Sequence, residues 1–232
     1  IRDRNPAIRM QAMRCGAFTA LGYISQSIAL VDTSAATVSF LGALIVVWNP
    51  LLEAFVDKRP KGFDQAPQTW IAALLALSGV ALLELAGEGG LGALGWGDFW
   101  SVLQAVGFGT SFFITEKMMA RDPSQALPIT AAQCAVVAAI TAVWALGDGL
   151  VVDGWMLDET KRTVSTLPGL LLDPSMRTVA AAVAWAGLVT TAANRLGETT
   201  ALGKLSSSEA SVLLSTEPLW AALCAVLLLG DT

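Results

Sequence analysis

The sequence predicts an all-α integral membrane protein with about seven transmembrane helices. Of its 232 residues, 54% are hydrophobic and only 14% are charged, whereas a soluble domain usually carries about a quarter charged residues. The apolar residues also come in blocks close to the roughly 20 residues that a helix needs to cross the hydrocarbon layer. Because an open strand would leave backbone groups unpaired in lipid, we expect these blocks to be helices.

Seven apolar segments can be bracketed, and proline, glycine or charged residues mark their ends. Pro60, Pro123 and the glycine-rich stretch 87–97 are three such boundaries. One long acidic connection, residues 148–176, separates the fifth segment from the sixth. The seven predicted segments are residues 11–30, 35–56, 69–86, 98–118, 126–147, 177–199 and 208–229.

The lysines and arginines of the connections predict the orientation, since cytoplasmic loops are enriched in both. One side of the predicted bundle carries only Lys161, Arg162 and Arg177. The opposite side therefore faces the cytosol, or the stroma of a plastid. Its eleven basic residues are Arg2, Arg4, Arg9, Arg14, Lys58, Arg59, Lys61, Lys117, Arg121, Arg195 and Lys204.

Several classes of function have no support in the sequence. No basic patch is interleaved with aromatic residues, as nucleic-acid binding would require. Histidine is absent, and Cys15, Cys134 and Cys224 stand singly in apolar segments, so we expect neither a metal site nor a disulfide framework. No nucleophile–base pair or cofactor motif is present. We therefore expect no catalytic residues and no cofactor.

The chain contains an internal repeat. Residues 29–54 and 201–222 each comprise a helix end, a serine-containing turn and a helix interrupted by a proline, Pro50 in the first copy and Pro218 in the second. The distribution of basic residues places the first turn outside and the second inside. The copies are thus predicted to be inverted, as in transporters with a pseudo-two-fold axis in the membrane plane.

Three segments carry a resemblance to a known family. ALVDTSAATVSFLGALIVVWNPLLEAF (29–55), GDFWSVLQAVGFGTSFFITEK (97–117) and TALGKLSSSEASVLLSTEPLWAALCAVLLLGD (200–231) resemble the fourth, sixth and ninth helices of the EamA domain. This domain belongs to the drug/metabolite transporter superfamily, whose fold is a ten-helix bundle of two inverted five-helix repeats.

The resemblance implies that this chain supplies helices three to nine, with the first two and the last outside it. Residues 1–88 would be the remainder of the first repeat, helices three to five. Residues 89–232 would be the second repeat without its last helix, helices six to nine. The family lines its central cavity with helices three, four, six, eight and nine, and we expect the same here.

Candidate substrate-path residues are polar side chains that recur at helical spacing on one face of a segment. Small polar residues also pack membrane helices together, and for any single serine or threonine this alternative stays open. The candidates are Tyr23, Gln26, Asn49, Gln104, Ser111, Thr115, Thr191, Asn194 and Glu217.

Glu217 lies about nine residues into its segment, or roughly 14 Å at 1.5 Å per residue, which places it near the middle of the membrane. A carboxylate at that depth is costly unless it is protonated or paired. It could carry a proton or bind a cationic substrate, or it could bond a backbone carbonyl freed by Pro218. We expect both Pro50 and Pro218 to break their helices near a common axis.

Other charged residues are expected close to the cytosolic helix ends. Glu53 and Glu198 would reach the interface there, and Arg14 and Arg195 would neutralise them. We expect no lysine or arginine deep in the bundle, which argues against phosphorylated substrates.

These observations predict a secondary transporter that moves a small organic metabolite by alternating access. The alternative is an EamA-fold scaffold or accessory subunit of a larger membrane complex, possibly photosynthetic, that does not transport. Expected partners are the lipid bilayer, a small-molecule substrate and, in the alternative, other membrane proteins. Plasma membrane and plastid membrane are not distinguished.

Overall fold

The computed structural model describes residues 6–56, 67, 70–75, 78–79, 95–151 and 177–216. Within these ranges the chain is helical and contains no strand, which confirms the predicted all-α class. A 3₁₀ turn, Pro123–Gln125, precedes the fifth helix, and a π-helical segment, Ala186–Ala193, joins the sixth to the seventh. The helices are α1 (Pro6–Asp32), α2 (Ala35–Gly42), α3 (Ile45–Val56), α4 (Trp96–Arg121), α5 (Ala126–Val151), α6 (Arg177–Trp185), α7 (Asn194–Ala201) and α8 (Ser207–Leu214).

Three helical stretches in the described part of the chain are long and apolar enough to span a membrane: Thr37–Val56, Pro123–Trp144 and Arg177–Ala201. Helices α1 and α4, of 27 and 26 residues, have the length to span but carry more polar residues. These polar residues are accommodated because α4 is a central helix, which contacts α1, α2, α3, α7 and α8. The predicted third segment, 69–86, and the last, 208–229, lie largely outside the described residues.

Glycines bring α1 and α4 into backbone contact. A Cβ added at Gly107 would lie 2.7 Å from the backbone nitrogen of Gly22 and 2.9 Å from the carbonyl oxygen of Phe18. Small residues permit such close approach, and in lipid the resulting packing is a main source of helix association. Helices α1 and α4 therefore form one tightly packed pair.

The internal repeat is visible in the local geometry of α2 and α8. Each helix is N-capped by a serine, Ser34 or Ser206, whose Oγ accepts a 3.2 Å hydrogen bond from the backbone N–H three residues further on. Each then ends after eight residues in a turn. The turn residues Ala43 (φ −64°, ψ −12°) and Ser215 (φ −64°, ψ −11°) have nearly the same backbone conformation.

The two copies run in opposite directions. At the start of α8, the Ser208 Oγ donates a 2.6 Å hydrogen bond to Glu53 Oε1, in the last turn of α3. At the other end of α8, Ser215 lines the same cavity as Ala43 at the start of the α3 stretch. The α2–α3 helix pair and α8 are therefore antiparallel neighbours, as an inverted repeat requires.

The break in the first copy lies before Pro50 rather than at it. Helix α3 continues through Pro50, while the irregular turn is at Ala43–Leu44, where the Val46 N–H bonds the Ala43 carbonyl at 3.0 Å. Proline lacks an N–H and its ring crowds the carbonyl four residues earlier, which is that of Val46. The tight turn at Ala43–Leu44 lies just upstream of that carbonyl. Pro218 lies outside the described residues.

The turn between α4 and α5 is held by a side-chain cap. The Asp122 carboxylate accepts hydrogen bonds from the Ser124 backbone N–H at 3.0 Å and from the Ser124 hydroxyl at 2.6 Å. Hydrogen bonds to the charged form favour ionisation. The bonds from Ser124 accordingly hold the pKa of Asp122 below its ordinary value.

Candidate functional site

A central cavity of about 390 Å³ lies between α1, the α2–α3 turn, α4, the π segment with α7, and the end of α8. These helices correspond to the ones that the family resemblance assigns to the cavity. Its lining combines amide, hydroxyl and charged groups with aromatic rings. The lining residues are Tyr23, Gln26, Ser39, Gly42, Ala43, Ile45, Gln104, Phe108, Phe112, Thr190, Asn194, Arg195, Glu198, Leu214 and Ser215.

An ion pair on α7 borders this cavity. Arg195 Nη1 donates a 2.8 Å hydrogen bond to Glu198 Oε2, and Asn194 Nδ2 donates a 2.9 Å hydrogen bond to Glu198 Oε1. The spacing of three and four residues places all three side chains on one face of the helix. Both oxygens of the carboxylate are thus engaged. Arg195 is only 7% exposed and the Glu198 side chain is 17% exposed, so this is a partly buried pair.

Aromatic rings surround the Arg195 guanidinium. Its central carbon lies 5.5 Å from the ring centroid of Tyr23, 5.4 Å from that of Phe108 and 5.9 Å from that of Phe112. Tyr23 and Phe108 meet edge to face, with centroids 5.0 Å apart. A cation within about 6 Å of a ring centroid is attracted by the ring quadrupole. The charge is therefore stabilised by three rings from two helices as well as by Glu198.

The position of Arg195 corrects the sequence-based expectation. Counting residues along its own helix places Arg195 near the cytosolic end, but its guanidinium lies beside Phe108, halfway along the 26-residue α4. Helical side chains project toward the N-terminus of their helix, and arginine is long enough to reach another full turn in that direction. A positive charge does lie deep in the bundle. The expected pairing of Arg195 with Glu198 is confirmed.

Gln104 supplies an unused acceptor at the cavity. Its side chain is 7% exposed, and its Oε1 atom is buried without a hydrogen-bond partner among the described residues. A Cβ added at Gly42 would lie 3.0 Å from Gln104 Nε2. The glycine in the broken helix therefore makes room for this amide. A buried polar atom without a partner is costly and is a candidate ligand contact.

Two of the predicted residues belong to a packing cluster instead. Ser111 Oγ and Thr19 Oγ1 share a 2.6 Å hydrogen bond, and Gln133 Nε2 donates to Thr115 Oγ1 at 3.0 Å. Cys15 Sγ lies 3.2 Å from Ser111 Oγ and 3.1 Å from Thr115 Oγ1. This network joins α1, α4 and α5, and its polar groups satisfy one another. Neither Ser111 nor Thr115 lines the central cavity.

Asn49 has a structural partner as well. Its Nδ2 donates a 3.0 Å hydrogen bond to the carbonyl of Ser207 at the start of α8. The Ser207 N–H in turn donates a 2.9 Å bond to Glu116 Oε2, and Glu53 accepts from Ser208. Carboxylates are favourable at a helix N-terminus, where backbone N–H groups have no helical partner. Glu53, Glu116 and Asn49 thus fix α8 against α3 and α4.

The remaining candidate residues lie at two cavities or outside the described residues. The central cavity is lined by Tyr23, Gln26, Gln104 and Asn194. Thr191 borders a second, smaller cavity of about 150 Å³, next to Cys134. Glu217 lies outside the described residues. Sequence reasoning missed Arg195 as a cavity residue, although its spacing of three residues from Glu198 was a usable signal.

Comparison with known proteins gives one match. Residues 95–232, more than half of the chain, match the profile of the EamA-like transporter family. This region contains α4 to α8 and confirms the resemblance seen in the sequence. No curated protein and no solved structure matches the chain at a significant level.

Proposed function

The chain belongs to the EamA-like transporter family, and from that premise we propose that it is a secondary transporter moving a small organic metabolite by alternating access. It is an integral membrane protein with the helical fold of that family. The proposal concerns the finer points, namely that it transports, that the cargo is a small organic molecule, and that the path runs through the central cavity.

The observation that carries the proposal is that the helix break of the first repeat and the end of α8 in the second line one cavity. Gly42 and Ala43 of the first repeat and Leu214 and Ser215 of the second all border it. Irregular backbone at membrane depth is tolerated where it is buried in protein or lines a water-filled cavity. In transporters built from inverted repeats, substrates bind at the repeat interface next to such interrupted helices.

The dimensions and chemistry of the cavity suit a small solute. Its volume of about 390 Å³ lies in the lower part of the usual range for small-molecule sites, about 300–1,000 Å³. Gln26, Gln104 and Asn194 supply amide groups, and Phe108 and Phe112 supply apolar surface. Such a mixture of apolar walls and a few oriented polar groups is typical of ligand-binding sites.

Cysteine accessibility tests alternating access directly. In a variant lacking the native cysteines, Gln104→Cys is placed in the cavity and the full-length protein is reconstituted in vesicles of either orientation. We expect a membrane-impermeant thiol reagent to label this position from both sides. Ser101→Cys is the matched control, one turn earlier on α4 and fully buried, and it should stay unlabelled from both sides.

The same vesicles test transport. A mixture of small organic solutes is loaded, and time-dependent exchange is followed by mass spectrometry, with protein-free vesicles as the control. Exchange of at least one solute, lost when Gln104→Cys is labelled, supports the proposal. Labelling from one side only, together with no exchange of any solute by folded protein, would favour the non-transporting scaffold.

A further inference from the structure

The Arg195–Glu198 pair is costly where it lies. Charges at bilayer depth are expensive, and the attraction within a buried pair roughly offsets the desolvation of its two ions. A hydrophobic pair would be about as stable in such a position. The pair also borders the central cavity, and the Glu198 side chain remains 17% exposed. Its location points to a role in binding rather than in packing.

The Arg195 guanidinium can bind a second anion. A guanidinium carries five N–H donors in a fixed planar fork, and Glu198 occupies Nη1 with one oxygen. The Tyr23 side chain also interacts with the guanidinium through its hydroxyl, and of the five donors the remaining ones are available to another carboxylate. Arginine–carboxylate pairs are frequently bidentate, and such pairs are stronger than a single hydrogen bond.

A second carboxylate would create a charge imbalance. One guanidinium facing two ionised carboxylates carries a net charge of −1 in a partly buried site. Like charges close together disfavour ionisation, so one of the carboxylates takes up a proton. Glu198 borders the cavity and can receive that proton from solvent.

We propose that the cavity binds a small organic acid whose carboxylate displaces Glu198 from Arg195, and that Glu198 is protonated in exchange, so that the acid and one proton are carried together. This inference rests on the proposed transport function. The site remains electrically neutral, since the incoming anion is balanced by the proton on Glu198. No covalent bond is made or broken.

Gln104 sets a further requirement on the ligand. Its buried Oε1 atom has no hydrogen-bond partner among the described residues and needs a donor. A hydroxyl on the acid would supply one and satisfy it. We therefore expect a hydroxy acid to bind more tightly than the corresponding deoxy acid.

Other ionisable groups also lie near the pair. Helix α1 contributes the phenol of Tyr23 and the thiol of Cys15, and α5 contributes Cys134 beside the smaller cavity. The cavity-lining residues of α4 and α8 are not ionisable. Glu198 is the one carboxylate among the described residues that line this cavity, and we therefore assign the proton to it.

Calorimetry on the full-length protein in lipid nanodiscs tests the proposal without any variant. The probes are lactate and 3-phenyllactate, their neutral amides, the deoxy acid 3-phenylpropanoate, and phenylalanine. Titration in two buffers of different ionisation enthalpy counts the protons taken up. We expect a hydroxy acid to bind with uptake of about one proton, and its amide to bind at least about tenfold more weakly.

Two variants locate the proton. Glu198→Gln should bind the acid about tenfold more tightly at pH 7, because the guanidinium no longer releases a charged partner, and should take up no proton. Arg195→Gln should weaken binding by about a hundredfold. Arg121→Gln is the matched control, since this exposed arginine at the end of α4 donates a hydrogen bond to Gln11 and does not line the central cavity, and it should behave as the wild type.

The outcomes separate this inference from the proposed function. Tighter binding of phenylalanine without proton uptake would mean that Glu198 meets an ammonium group, which overturns the proposal. Binding of none of the acids to protein whose thermal unfolding is unchanged overturns it as well, while two-sided labelling of Gln104→Cys would leave transport standing. If two-sided labelling and solute exchange are both absent, the transport proposal falls whatever the calorimetry shows.

Discussion

Replacing Gly107 by alanine should loosen the contact between α1 and α4. The new Cβ would lie 2.7 Å from the Gly22 nitrogen and 2.9 Å from the Phe18 oxygen, whereas non-bonded heavy atoms prefer about 3.5–4.0 Å. Both neighbours are backbone atoms and cannot rotate away. The helices must separate by about 0.8 Å, and overpacking of this kind typically costs about 1–3 kcal/mol.

The matched control is Gly197→Ala on α7, where an added Cβ meets nothing within 4 Å. Both substitutions gain about 1 kcal/mol of helix propensity, so their difference isolates the packing cost. The free energy of unfolding is measured by denaturant titration in mixed micelles. We expect Gly107→Ala to be less stable than Gly197→Ala by about 1–3 kcal/mol. Equal stabilities would refute the close approach of α1 to α4.

Three further substitutions test the site and the caps. Gly42→Ala should change the affinity for a cavity ligand at least about fivefold, because it moves Gln104, while stability changes by less than about 1 kcal/mol because that amide end is flexible; unchanged affinity would contradict this. Ser206→Ala should lower the free energy of unfolding by about 1 kcal/mol through loss of the N-cap, whereas Ser206→Asp should retain most of it. Ser124→Ala should raise the pKa of Asp122 toward its ordinary value, measured by carbon-13 NMR of labelled aspartate. Because that pKa is lowered in the folded state, the stabilisation is present above the unfolded-state pKa and is lost as pH falls through the folded-state pKa; an unchanged pKa would show that Ser124 is not the cause.

The helices were predictable because lipid offers no hydrogen-bond partners to the backbone. In lipid every backbone group must be paired within the segment, so an apolar block of sufficient length becomes a helix whatever its neighbours. The turns before α2 and α8 were also predictable, since Ser34 and Ser206 lie at the serine-containing turn of each repeat. The location of the first break was not predicted, because it lies six residues before Pro50.

The site was predictable only in part, since a polar stripe identifies a helix face but not the partner against which it lies. Gln104 and Ser111 lie seven residues apart on the same face of α4. Gln104 nevertheless lines the central cavity, whereas Ser111 hydrogen-bonds with Thr19 and Cys15. Arg195 was misplaced because counting residues locates a Cα atom. The charged group at the end of a long side chain lies a turn or more away.

The π segment before α7 bears on how the cavity could change shape. An α-helix advances about 100° per residue, so one residue more or fewer in the winding turns everything beyond it by that angle. Arg195 follows the segment by two residues. Rewinding this stretch by a single residue would swing the guanidinium away from Tyr23 and Phe108.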